Sequence, residues 1–163
     1  MTRAEGVWLW LSMTQGVSPR MARQLVEFFG SPEELWEAEE QELIDAAGQK
    51  IASALTASRD GQRINAHVRE CAAQGVVIIT PASTEYPKAL YDLFDPPCAL
   101  YCRGDIGLLK TECLTMVGTR THTRYGKSVT EMLARELAGA GLTIVSSLGE
   151  GLDTIAHTAA LAA

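Results

Sequence analysis

The chain has 163 residues, of which 47% are hydrophobic and 21% are charged, and its formal net charge is −6. This length and composition predict a soluble globular protein with one ordinary domain, or with a small domain and part of another. No apolar run reaches about 18 residues, which argues against a membrane span. The first residues lack the basic-then-apolar layout of a secretory signal, so we expect a cytoplasmic location.

The negative net charge argues at first against a nucleic-acid partner, but the charges are unevenly distributed. Residues 33–45 contain seven acidic side chains and no basic one. Residues 113–130 contain Arg120, Arg124 and Lys127 and no acidic side chain. The positive charge thus coincides with a glycine-rich part of the chain, while an ordinary solvated face also explains the acidic run.

The four cysteines (Cys71, Cys98, Cys102 and Cys113) do not combine with histidine in any zinc-type spacing. We expect reduced, mostly buried thiols, with neither a metal site nor a disulfide framework. No cofactor is predicted.

An apolar segment from Val7 predicts a first helix that ends near Gly16, and Ser18 followed by Pro19 begins a second one. The glycine turn between them resembles a helix-hairpin-helix, which holds duplex phosphate with backbone amides. Ser18 stands where that motif has its second glycine, so a purely structural turn is the preferred interpretation.

Ser31 and Pro32 begin a third helix, and another is expected over residues 49–73 with a bend near Gly61. The chain up to residue 75 is therefore predicted to form a small α-helical bundle.

Strands alternate with helices after Gly75. Strands are predicted over residues 76–79, 99–101, 113–117 and 142–147, and helices over residues 125–140 and 152–162. The strand-helix-strand spacing implies a right-handed crossover and a parallel sheet. The sequence thus predicts an α/β fold, with a helical domain over residues 1–75 and the beginning of a Rossmann-like domain over residues 76–163. Because a doubly wound sheet needs further strands, we expect this chain to be the N-terminal piece of a longer protein.

Glycine-rich turns follow the last two predicted strands. The first turn contains Gly118, Thr119 and Arg120, and the second contains Gly149 and Gly151. Neighbouring parallel strands bring such turns to one edge of the sheet, where backbone N–H groups and helix N-termini form an anion site. The sequence therefore predicts phosphate binding, and turns required only for packing are the alternative.

Three basic side chains are candidates for phosphate contacts. Arg120 follows the strand directly, where its guanidinium can grip phosphate oxygens, and a salt bridge with Asp153 is the alternative. Arg124 and Lys127 add charge, as residues that track a nucleic-acid backbone do, or else they are solvated side chains at a helix start. Tyr125 either stacks on a base or packs beneath the turn.

No catalytic group is predicted. Asp153 and His157 are four residues apart and share a helix face, but neither a third partner nor a nucleophile accompanies them. A hydrogen-bonded structural pair is the expectation. His122 is expected to be exposed.

Four segments resemble the DNA-processing protein A (DprA/Smf) family of bacteria, in the family's order and spacing. They are Gly16–Trp36; Tyr86-Pro87 with Asp95-Pro96-Pro97; Val117-Gly118-Thr119-Arg120 with Tyr125-Gly126; and Ser146–Asp153 with His157. The third is the most specific and is similar to the family's VGSRxxTxYG segment. The resemblance covers nearly the whole chain.

This resemblance implies a SAM-like helical domain followed by a Rossmann-like domain that binds single-stranded DNA and assists RecA loading in natural transformation, without enzymatic activity. It implies a homodimer, and it places the dimer and RecA surfaces mainly in a part of the family's domain that continues beyond Ala163. Two residues depart from the pattern. Ser147 replaces a glycine, and Glu150 stands in the place of an arginine, where a carboxylate facing inward would repel phosphate.

Two other functions fit a chain of this kind. A nucleotide-processing hydrolase of the phosphoribohydrolase type uses the same architecture, but its PGGxGTxxE signature is not found in these residues. Alternatively, the acidic helical segment is a protein-interaction unit that docks a basic partner.

Overall fold

Nine α-helices and four short strands form in the chain, which the computed structural model describes over all of residues 1–163. The chain divides into two units, Met1–Leu109 and Lys110–Ala163. The first unit contains α1 (Arg3–Met13), α2 (Pro19–Phe29), α3 (Pro32–Glu37), α4 (Glu40–Ala47), α5 (Gln49–Ser58), α6 (Gly61–Ala73), β1 (Val76–Ile79), α7 (Lys88–Tyr91) and β2 (Leu100–Arg103). The second contains β3 (Cys113–Thr115), α8 (Arg124–Gly139), β4 (Thr143–Val145) and α9 (Leu152–Leu161), and a 3₁₀ turn at Ile106–Lys110 spans the sequence boundary.

Serine caps begin α2 and α3 where the sequence predicts them. The Ser18 side chain accepts the Met21 N–H at 3.2 Å, and the Ser31 side chain accepts the Glu34 N–H at 3.1 Å. Each cap satisfies one backbone donor that the helix leaves without a partner, and the following proline supplies no N–H to satisfy.

The core of the first unit is built around α1, whose five consecutive residues Val7–Leu11 are all buried. A helix that is buried on every face lies at the centre of its bundle. Trp10 makes an edge-to-face contact with Trp36, with 5.0 Å between ring centroids, and its indole N–H donates to the Ser58 hydroxyl at 2.9 Å.

The predicted helix over residues 49–73 is interrupted next to the bend expected near Gly61, so that two helices, α5 and α6, occupy this span. Arg59 leaves the helical conformation with φ −73° and ψ 79°. The Asp60 carboxylate then accepts the N–H groups of Gln62 and Arg63, and so caps α6. The acidic run also contains α4, which the sequence reading did not predict.

Strands β1 and β2 pair antiparallel, with Val76 opposite Arg103 and Ile79 opposite Leu100. Ile78 packs against the core of the first unit. Residues 76–109 therefore group with the helices in space, and their assignment to a DNA-binding domain that begins at residue 76 stays a prediction.

In the second unit, β3 and β4 pair in parallel, with Cys113 opposite Thr143 and Thr115 opposite Val145. This confirms the predicted strand-helix-strand arrangement and the α/β class, although both strands are shorter than predicted. Helices α8 and α9 pack together through small residues, and the buried cluster of this unit consists of Ala134, Ile144, Ala156 and Ala159. No helix in the chain is both long enough and apolar enough to cross a membrane.

Candidate phosphate-binding site at two glycine turns

Two turns lie at one edge of the β3–β4 sheet. The first turn, residues 116–123, connects β3 to α8, and the second turn, residues 146–151, connects β4 to α9. Because β3 and β4 are parallel neighbours, both turns leave the carboxyl ends of the strands on the same side, where ligands bind in sheets of this type.

Glycines allow the two turns to touch. A Cβ atom on Gly118 would lie 2.5 Å from the Cβ of Leu152, so only glycine leaves room for the start of α9. Gly151 has φ +90° and ψ −132°, and a Cβ there would lie 2.5 Å from the Arg120 Cα. The Leu152 N–H also donates to the Thr119 carbonyl at 3.2 Å. The backbone of the second turn thus lies directly against that of the first.

The Asp153 carboxylate connects the turns a second time. Its side chain belongs to a buried residue, 8% exposed, at the start of α9. One oxygen accepts the Gly118 N–H at 3.2 Å, and the other accepts the Ser147 hydroxyl at 2.5 Å. The bond from Ser147 and, to a lesser extent, the bond from Gly118 hold the pKa of Asp153 below its ordinary value, although burial acts in the opposite direction.

Three further hydrogen bonds fix the second turn. The Ser146 hydroxyl donates to the Met116 carbonyl at 2.6 Å, the Gly149 N–H donates to the Ser147 hydroxyl at 3.0 Å, and the Thr154 hydroxyl donates to the Gly149 carbonyl at 2.7 Å. The amides of Gly118 and Gly149, both predicted to hold phosphate, are therefore occupied within the protein. Sequence reasoning did not identify Ser146, Ser147 or Thr154 as parts of the site; the only signal was hydroxyl residues beside a glycine turn.

Other amides at the site have no hydrogen-bond partner. The N–H groups of Thr119, Arg120 and Gly151 make no hydrogen bond, and no side chain caps the N-terminus of α9. The start of α8 is different, because the Thr123 hydroxyl accepts the Gly126 N–H at 3.0 Å. Unpaired N–H groups at a helix N-terminus attract anions, and this end of α9 lies against Thr119 and Arg120.

The charged side chains around the turns are exposed. Arg120 and Arg124 form no ion pair, whereas Lys127 lies 3.7 Å from Glu131, one turn further along α8. Glu150 is also exposed, between the two glycines of the second turn, and has no ion-pair partner. The alternative interpretation of Arg120, a salt bridge with Asp153, is not found in the structure: the Asp153 carboxylate accepts from Gly118 and Ser147 instead.

Two interpretations of nearby aromatic residues are wrong. Tyr125 is 80% exposed and does not pack beneath the turn. No hydrogen bond joins Asp153 and His157: the carboxylate accepts from Ser147 and Gly118, and the buried Nε2 atom of His157 has no partner. His122 is exposed, as predicted.

The structure places no group of three or more histidine, cysteine, aspartate or glutamate side chains so as to hold a metal ion. All four cysteines are free thiols, but only Cys98 is buried, and Cys113 is exposed. The cavity beneath the first turn, lined by Met116, Thr130 and Leu152 among others, measures about 30 Å³. Pockets for small molecules usually enclose at least ~300 Å³, so this site suits an anion at its surface better than an enclosed ligand.

Known proteins resemble this chain over most of its length. A DNA processing protein DprA from Bacillus subtilis is 40% identical over 102 residues, which are 62% of this chain and 33% of that protein. A Smf protein from Synechocystis is 28% identical over 163 residues, covering 96% of this chain and 41% of that protein. The crystal structure of DNA processing protein A from Streptococcus pneumoniae matches 96% of this chain and 54% of that one, with a TM-score of 0.76 and 22% identity, and therefore shares its fold.

The chain thus spans between a third and about half of the length of these relatives. The sequence model of the family described as DNA recombination-mediator protein A matches residues 46–163, well over half of the chain. The chain therefore belongs to the DNA recombination-mediator protein A family.

Proposed function

We propose that the two turns bind the phosphates of single-stranded DNA, and that the chain is the DNA-binding part of a protein of DNA processing and recombination. The observation that carries this proposal is the contact between the turns, which brings the backbones of Thr119, Arg120 and Gly151, with their unpaired N–H groups, together at a turn that also carries the exposed side chain of Arg120. Amides and an arginine that converge in this way form a phosphate site.

The distribution of charge supports the same site. The second unit carries five basic and five acidic residues, so the net charge of −6 belongs to the first unit. Arg124 extends the positive charge of Arg120 along the chain, and Lys127 shares its charge with Glu131. The exposed ring of Tyr125 offers a surface for base stacking, which tolerates any sequence. Nothing at the turns has the geometry of a base-edge reader, so we expect little sequence preference.

Membership of the family leads us to propose that the whole protein assists the loading of RecA on DNA in the cytoplasm during natural transformation, and that it acts as a homodimer through regions outside this chain. We propose no catalytic role. Membership of the family supports this over the phosphoribohydrolase alternative, whose PGGxGTxxE signature is not found in these residues.

Fluorescence anisotropy with a labelled oligo-dT, measured at several salt concentrations, tests the proposal. Arg120→Ala should weaken binding to all oligonucleotide sequences alike and lower the slope of log K against log salt by about 0.7, the value of one phosphate contact. Arg135→Ala is the matched control, because Arg135 is an exposed arginine of α8 far along the helix from the turns. Glu150→Gln should strengthen binding, since it removes an unpaired carboxylate from the site.

If Arg120→Ala and Arg135→Ala lowered the affinity for oligo-dT equally, the proposed site would be contradicted, because the affinity would then depend only on the total charge of the chain. Absence of binding at low salt would contradict DNA binding by this chain. Release of free base from a nucleoside monophosphate would establish the hydrolase instead.

A further inference from the structure

The hydroxyl of Ser147 lies in the middle of a chain of hydrogen bonds that runs from the second turn to the first. The Gly149 N–H donates to the Ser147 Oγ at 3.0 Å, and this Oγ lies 2.5 Å from the Asp153 Oδ2. The Asp153 Oδ1 lies 3.2 Å from the Gly118 nitrogen. Four groups from two turns and one helix are thereby joined in a single series.

The direction of each bond follows from the chemistry of the groups. A backbone amide can only donate, so the Ser147 oxygen accepts from Gly149 and gives its single proton to Asp153. Asp153 then accepts from two donors and is best satisfied as a carboxylate, which makes both of its bonds charge-assisted. The lowered pKa of Asp153 agrees with this arrangement.

The Gly118 amide is the end of this series that lies in the first turn. Gly118 lies immediately before Thr119 and Arg120, whose N–H groups belong to the proposed phosphate site together with the Arg120 side chain. Its own N–H donates to Asp153, so that carboxylate holds the peptide between Val117 and Gly118 in the first turn. Ser147 makes no hydrogen bond with Gly118 and can affect it only through Asp153.

We infer that Ser147 is a positioning residue that couples the two turns, because its hydroxyl orients Asp153 and Asp153 in turn holds the Gly118 amide. The coupling itself is a property of the protein alone. Its effect on DNA affinity rests on the proposed function, because that affinity depends on Thr119 and Arg120 only if they contact phosphate.

Amide proton exchange, measured by NMR on the whole chain, tests the coupling without any ligand. Ser147→Ala should speed amide exchange about tenfold at Gly149, because its acceptor, the Ser147 hydroxyl, is removed. Exchange should also become faster at Gly118, because its acceptor, the Asp153 carboxylate, is then no longer held in place by Ser147. The pKa of Asp153, followed at its carboxyl carbon, should rise towards its ordinary value. Ser147→Thr retains a hydroxyl and should restore both amides.

Thr158→Ala is the matched control, because the Thr158 hydroxyl bonds only to the Thr154 carbonyl within α9. It should leave Gly118 and Gly149 unchanged. Faster exchange at Gly149 alone in Ser147→Ala would overturn the inference, since Ser147 would then act only within its own turn. General loss of protection in α9 would also overturn it, because Ser147 would then support the fold and not the coupling.

A parallel titration with oligo-dT separates this inference from the proposed function. If the unchanged chain binds DNA, Ser147→Ala should weaken binding several-fold and Ser147→Thr should not. Equal affinity of all three would overturn the positioning role. If the unchanged chain does not bind, the proposed function fails, while the exchange at Gly118 still decides whether Ser147 couples the turns.

Discussion

Replacement of Gly151 by alanine should selectively destabilise the second unit. Gly151 has φ +90° and ψ −132°, a conformation that costs a residue with a side chain about 1–3 kcal/mol. The added Cβ would also meet the carbonyl oxygens of Thr119 and Arg120 at less than 3.0 Å, and both are backbone atoms that cannot rotate away. Overpacking of this kind adds about 1–3 kcal/mol. The expected loss is therefore about 2–6 kcal/mol in the free energy of unfolding.

Gly139→Ala provides the matched control within the same unit. Gly139 is the last residue of α8, and no atom lies within 4 Å of the position that a Cβ would take. Alanine there should leave stability unchanged or raise it by up to about 1 kcal/mol, because alanine loses less conformational entropy in a helix.

Native-state amide exchange along α9 measures the loss in the second unit. All three tryptophans belong to the first unit, so tryptophan fluorescence during urea unfolding follows that unit separately. We expect Gly151→Ala to lose protection in α9 with little change in the fluorescence transition. Protection equal to that of Gly139→Ala would refute the reasoning, because it would mean that the turns do not touch as described.

Three other changes have defined outcomes. Leu9→Ala removes a side chain with no exposed surface and should lower the free energy of unfolding of the first unit by about 2–5 kcal/mol, measured by tryptophan fluorescence in urea. Ser18→Ala removes the cap of α2 and should cost about 1 kcal/mol in the same assay, whereas Ser18→Gly should cost a few tenths. The pKa of Asp153 is lowered in the folded chain, so its carboxylate stabilises the second unit above the ordinary aspartate pKa of about 4, and this stabilisation is lost as the pH falls through the lowered value. Exchange at α9 measured against pH should show this loss, and Asp153→Asn should not show it; an identical acid profile in both would contradict the role of Asp153.

Helix starts were predictable from the sequence because the interactions that fix them are local. Ser18 and Ser31 cap helices three residues away, and each is followed by proline, so the signal lies within a few residues. Helix α4 was not predicted because its cap residue is a glutamate within a run of acidic residues, and glutamate is not among the usual N-cap residues. The Glu39 N–H donates to the Glu42 side chain at 2.8 Å, which holds the start of the helix.

The interior of the candidate site was less predictable. The alternation of strands and helices sufficed to bring the two turns together, because parallel pairing puts both at one edge. Which amides are paired depends in part on hydrogen bonds across more than 30 residues, such as that from the Gly118 N–H to the Asp153 carboxylate. A hydroxyl side chain has no periodic pattern that would identify its distant partner. His157 is a second example: its spacing of four residues puts it on the same helix face as Asp153, but the sequence does not show that Gly118 and Ser147 donate to Asp153 instead.

Strands β3 and β4 form a sheet of only two strands, so each of them is an edge strand. Parallel sheets are usually covered on both faces, yet Leu114 and Val145 of these strands are about 40% exposed. An outer edge with free peptide groups and apolar side chains is a template on which another strand can pair. We therefore expect the chain to self-associate more as its concentration rises. Its affinity for a ligand should accordingly be measured at several protein concentrations, because only a constant value describes the monomer.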